Sequence, residues 1–129
     1  MSEVAGFTGR TGVRLIVAGS RGITNVHIVA AAIQDSGYVG TIAEIVCGCA
    51  KGVDSLGEAI AKASGIPVKY FPADWKRYRR AAGPIRNEAM GHYADAAVIV
   101  REDGIASRGA TSMLKVMKSL GKPVHLKEV

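Results

Sequence analysis

Residues 13–25 read VRLIVAGSRGITN, and this stretch decides the fold. Val13 to Ala18 are a short apolar run closed by Gly19 and Ser20, the pattern of a buried strand ending in a turn. Asn25 is a strong helix N-cap, and Val26, Val29, Ala30 and Ile33 follow it at helical spacing. The pattern then repeats. IAEIVCG (42–48) ends at Gly48, and Val53, Leu56, Gly57 and Ile60 mark a second helix after Gly52, stopped by Gly65 and Pro67. VKYF (68–71) reads as a third strand, followed by a loop, ADWKRYRRAAG (73–83). A helix starts near Pro84, whose fixed φ suits a first helical position, with Gly83 as its cap. AAVIV (96–100), the polar loop REDGIASRG (101–109) and a helix with Ala110, Met113, Leu114, Met117 and Leu120 inward come next. Gly121 and Lys122 lead into a fifth strand, PVHLK (123–127).

Strands alternating with helices five times predict a parallel sheet covered by helices on both faces, because parallel neighbours need right-handed crossovers. The expectation is a single-domain α/β, Rossmann-like, three-layer fold with a five-stranded parallel sheet over 12–129, preceded by a loose arm over 1–11. The length of 129 residues suits one core, and 48% hydrophobic with 22% charged residues is a globular composition. The N-terminal stretch lacks a signal-like apolar run, and nothing approaches the roughly 20 apolar residues of a membrane span, so a cytoplasmic protein with no membrane partner is expected.

The formal charge of +6 fits an anionic partner. The tract Lys76, Arg77, Arg79, Arg80 is either a solvated basic face or a phosphate contact. Cys47 and Cys49 sit only two apart at a strand end, where a disulfide between them is disfavoured and structural thiols are favoured over metal or redox chemistry. His27, His92 and His125 fall on separate elements without zinc-like spacing, so no metal and no cofactor is implied.

In open α/β sheets ligands bind beyond the carboxyl ends of the strands, where helix N-termini offer free N–H groups. The residues there are Gly19, Ser20, Arg21 and Gly22 after strand one, Gly48 to Asp54 after strand two, Asp74 and Trp75 after strand three, and Ser107, Arg108 and Gly109 after strand four. GSRG is not the dinucleotide fingerprint and GCAKG is not a P-loop. A phosphate would gain from backbone N–H groups at Gly22 or at Lys51 and Gly52, from the Ser20 hydroxyl and from a guanidinium. Asp54 either caps the second helix or accepts from a ribose hydroxyl. Arg86 and Asn87 fall in a first helical turn, where the dipole opposes a cation, so Arg86 is the leading phosphate ligand. Trp75 either stacks on a base or closes the core beneath its loop.

With these residues in place the chain resembles the SLOG superfamily of Rossmann-like nucleotide-binding proteins, in its YspA-like branch. GSRGITN, GCAKGVDSLGEAIA, GIPVKYFPADW, AGPIRNEAM, YADAAVIV, SRGATSML and GKPVH carry the resemblance from Arg14 to Leu126. It implies a nucleotide-derived small-molecule ligand, and similarity to the cytokinin-activating phosphoribohydrolases and to the DprA fold. Arg86 matches the arginine of those enzymes' Arg-Lys motif, and Cys49 stands where their phosphate loop has glycine. Ala110 and Met113 replace their threonine and glutamate, so the expected catalytic carboxylate is missing. Binding of an ADP-ribose-like or cyclic nucleotide signal, by a sensor or a sequestering protein, is therefore favoured over catalysis. The alternative is a nucleotide hydrolase using Glu58 or Glu88, and the third reading is DprA-like DNA binding. A homodimer or higher homo-oligomer is expected, since the related enzymes are dimeric and Met113, Leu114 and Met117 read as spare apolar surface.

Overall fold

A computed structural model of the chain describes residues 12–102 and 107–129. The arm expected over 1–11, and residues 103–106 of the polar loop, lie outside the described residues. Five strands, β1 (Val13–Gly19), β2 (Ile42–Cys47), β3 (Val68–Tyr70), β4 (Ala96–Arg101) and β5 (Val124–Glu128), form one parallel sheet in the order β3-β2-β1-β4-β5. The helices are α1 (Val26–Ser36), α2 (Val53–Ala63), the one-turn α3 (Trp75–Tyr78), α4 (Ala82–Tyr93) and α5 (Arg108–Ser119). This is the α/β Rossmann-like architecture expected from the alternation of runs and turns.

The central strands explain the layers. Leu15 and Val17 of β1 and Val98 and Val100 of β4 pack with Val29, Ala32 and Ile33 of α1 and Val53 and Ala61 of α2. Their neighbours Ile16, Ala18, Ala97 and Ile99 point the other way, onto Met90 of α4 and Ala110, Met113 and Met117 of α5. Strands buried on both faces read as continuous apolar runs, and each fully buried aliphatic side chain contributes about 1.5–3 kcal/mol. Asn25 caps α1 as expected, accepting the His27 N–H at 2.9 Å. Helix α2 lies close on β1 because residue 57 is glycine: a Cβ there would stand 2.8 Å from a Val17 methyl.

Three expectations are corrected. The loop over 73–83 is largely helical: Asp74 caps α3 by accepting the Arg77 N–H at 3.1 Å, and a 3-10 turn, Arg79–Ala81, runs into α4. Helix α4 therefore starts at Ala82 with Ala81 at its cap position, so Gly83 is not the cap and Pro84 is the third helical residue, still where its missing N–H costs nothing. Met113 and Met117, read as spare apolar surface, are fully buried in the core, so they offer nothing to a partner copy.

The far end of α4 is closed by a distant residue. The Lys122 ammonium donates to the carbonyls of Gly91 at 2.8 Å, His92 at 3.1 Å and Ala94 at 2.7 Å. A cation at a helix C-terminus also complements the macrodipole. Among the described residues no helix is long and apolar enough to cross a membrane.

Candidate functional site

The sheet order places β1 beside β4, and from this pair the chain winds outward in both directions. That is the topological switch point, where the loops diverge and leave a crevice. A cleft of about 930 Å³ opens there. Its floor is built by residue 19: a Cβ at Gly19 would fall 1.9 Å from the Val100 carbonyl oxygen, so only glycine lets β1 and β4 end this close. Ser20 then ties the two ends together. Its N–H donates to the Val100 carbonyl at 3.0 Å, its Oγ accepts the Glu102 N–H at 3.0 Å, and the same hydroxyl shares a hydrogen bond with Ser107.

The turn after β2 is shaped by two residues with left-handed backbone, Cys49 (φ 63°) and Gly52 (φ 76°). Cys49 makes this turn without glycine's freedom, its N–H donating to the Cys47 sulfur at 3.3 Å. Burial pushes the Cys47 thiol up to about 12, and both cysteines are free. A Cβ at Gly52 would lie 2.4 Å from the Ser20 carbonyl oxygen and 2.6 Å from Arg21 Cα, so the β1 and β2 turns rest backbone on backbone. The first amide of α2, Val53 N–H, donates to that Ser20 carbonyl at 3.3 Å.

Asp54 neither caps α2 nor stands free. Gly52 occupies the cap position without a side-chain bond, and Asp54 lies buried in the first turn. Burial raises its pKa above the ordinary 3.8, opposed first by the Arg86 charge and then by backbone N–H groups of Ala50, Gly48 and Gly19. Amides of the β1 and β2 turns other than those expected to cradle a phosphate, Gly19, Gly48 and Ala50, thus face a carboxylate of the chain itself.

Arg86 sits in the second turn of α4 rather than the first, because the helix starts earlier than Pro84 suggests. The helix dipole opposes it less there. Its Nη1 donates to the Gly48 carbonyl and its Nε to Asn87 Oδ1 at 2.8 Å, while Asn87 Nδ2 donates to Ser112 of α5 at 3.1 Å. This chain of bonds joins the β2 turn, α4 and α5, and fixes the guanidinium at the cleft wall.

Of the residues expected to bind, Gly19, Ser20, Arg21, Asp54, Arg86, Asn87, Ser107 and Gly109 line the cleft. Gly48 stands behind Asp54 and Arg86, Gly52 is packed under Ser20 and Arg21, and Lys51 is exposed outside the cleft wall. The catalytic candidates are not brought in. Glu58 accepts from the Tyr70 hydroxyl at 2.7 Å and pairs with Lys62 at 3.0 Å, and these two bonds lower its pKa. It lies one turn past Asp54, and because α2 runs back from the crevice, that turn carries it about 5.4 Å away from the sheet's carboxyl edge. Glu88 is exposed and pairs with His92 at 3.4 Å.

Sequence reasoning left the cleft's further cations unassigned. Arg80 alone of the basic tract lines the cleft, and Arg108 joins it from the start of α5. Arg77 instead lies over the Tyr78 ring at 5.0 Å. The signal for Arg108 was its position between Ser107 and Gly109; nothing in the tract's spacing singled out Arg80. Trp75 is 51% exposed in the cleft wall and so does not close the core.

No curated protein and no solved structure matches the chain. The family model described as the YspA, cpYpsA-related SLOG family matches residues 13–78, half of the chain, from β1 through α3 and including both glycine turns of the cleft. The chain belongs to the YspA, cpYpsA-related SLOG family.

Proposed function

We propose that the switch-point cleft binds a nucleotide or nucleotide-derived phosphorylated ligand and holds it intact, as a sensor or sequestering protein does. SLOG membership supports nucleotide-related binding or processing. The observation that carries the reading is the cleft's charge: Arg21, Arg80, Arg86 and Arg108 line it against Asp54 and Glu102 among the described residues. A crevice of about 930 Å³ is within the range of small-molecule sites. Each charged hydrogen bond to a phosphate nets about 1.5–3 kcal/mol, so three or four together reach the roughly 8 kcal/mol of micromolar affinity.

Hydrolysis of an N-glycosidic bond is the second reading, and Asp54 favours it. A carboxyl with a raised pKa at the cleft wall has the character of a general acid, whereas Glu58 and Glu88 do not line the cleft. One experiment separates the two. The protein is incubated with nucleoside monophosphates, ADP-ribose and cyclic nucleotides, and the mixture is resolved by chromatography beside calorimetric titrations. Binding with full recovery of intact ligand is expected. Release of free base or ribose phosphate that disappears in Asp54→Asn overturns the binder, and no heat with any probe overturns both readings.

A further inference from the structure

Trp75 is the only tryptophan of the chain and one of its most exposed large apolar side chains. It is presented, half exposed, at the start of a one-turn helix that Asp74 caps by accepting the Arg77 N–H. Its indole rests by one edge against α4 where residue 83 is glycine: an ideal Cβ at Gly83 would lie 3.4 Å from Trp75 Cη2. The ring belongs to the wall of the same cleft that holds Arg86.

The cleft is graded in character. Its buried lining carries the polar Ser20, Asp54 and Asn87, all under 10% exposed, beside the apolar Ala18, Met90 and Ala110. Its rim carries the half-exposed indole with Arg80 in the same wall. A bare sugar phosphate meets the floor and the guanidiniums and leaves the indole uncovered. A ligand that also bears a flat, weakly hydrated π-system covers both.

We infer that Trp75 is a stacking platform for the nucleobase, so that the ligand class is a phosphorylated nucleoside that keeps its base rather than a base-free ribose phosphate. The inference rests on the nucleotide reading of the cleft and adds which end of the ligand meets which wall. Stacking on an aromatic ring tolerates any base, because every base has a π-face, and its loss weakens binding by about tenfold or more.

The test compares AMP and UMP with ribose 5-phosphate, which has the same sugar and phosphate without a base. Calorimetry is run on the natural chain, Trp75→Phe, Trp75→Ala and Arg86→Ala, with tryptophan emission followed in the chains that keep Trp75. AMP and UMP should bind at least about tenfold tighter than ribose 5-phosphate and quench the emission, which ribose 5-phosphate should not. Trp75→Ala should bring both nucleotides down to the affinity of ribose 5-phosphate and leave ribose 5-phosphate itself unchanged, which also shows that the variant is folded. Trp75→Phe should keep most of the advantage. If ribose 5-phosphate binds and Arg86→Ala weakens it, but the bases add nothing or their advantage survives Trp75→Ala, the platform is overturned and the phosphate site stands. If none of the three probes binds the natural chain, the nucleotide reading falls and the platform with it.

Discussion

At the scale of single residues the site turns on Asp54 and Arg86, which belong to different helices and meet at the β2 turn. Arg86 faces the cleft and also offsets the buried Asp54 charge. Arg86→Ala should therefore weaken ligand binding by about 1.5–3 kcal/mol and lower stability as well. Adding Asp54→Asn should restore stability without restoring affinity. Urea unfolding of the four chains of this cycle should return a coupling of about 0.5–3 kcal/mol, and additive losses would show that the two side chains act independently. The same carboxyl sets a pH dependence. Its pKa is raised by folding, so the native state holds the proton more tightly than the unfolded chain. Its stabilising contribution is complete below the ordinary 3.8 and is lost as pH climbs through the higher folded value. The natural chain should lose stability relative to Asp54→Asn over that rise and run parallel to it above. A constant difference across the acid range would mean that folding leaves Asp54 unshifted. The sequence marked both residues as important but read Asp54 as a cap or a ribose partner. What it lacked was the long-range fact that Arg86 and the Gly48 carbonyl close over the α2 start.

At the scale of elements, what was legible followed from local rules, and what was missed depended on contact between elements. The Asn25 cap, the glycine turns and the strand runs are short-range signals, and β1, β2, β4 and α1 lie where those signals put them. The start of α4 was misplaced because Pro84 is acceptable at several first-turn positions and the upstream 3-10 turn carries no marker of its own. Glycines divide the same way. Gly52 reads as an approach point for phosphate, yet its missing side chain is filled by the backbone of Ser20 and Arg21. Gly52→Val should cost roughly 3 kcal/mol or more, combining a positive φ with a backbone clash, and should abolish binding through the collapse of two turns at once. Gly109→Ala should raise stability by roughly 0.5–1 kcal/mol, since a Cβ there meets nothing within 4 Å among the described residues and alanine suits a helix better. Thermal melts of the two variants check both, and a well-folded Gly52→Val would remove the contact between turns as a constraint.

At the scale of the whole molecule the net charge of +6 is the coarsest signal and the easiest to misread. Four arginines collect at one cleft, and the rest of the basic tract stands outside it, which suits a compact anion better than a long polyanion. The affinity for a nucleoside monophosphate should fall only shallowly as salt rises, whereas a DNA site engaging six or more phosphates would lose about a thousandfold between 50 and 200 mM. Titrations at several salt concentrations decide it, and a steep slope would favour the DNA reading. The far end of α4 carries one more consequence, which concerns order in time. A ribosome delivers the chain from its N-terminus, and the carbonyls of Gly91, His92 and Ala94 emerge roughly thirty residues before the Lys122 ammonium that closes them. The helix that presents Arg86 therefore lacks the cation at its tail throughout that interval of translation, until Lys122 arrives just ahead of β5.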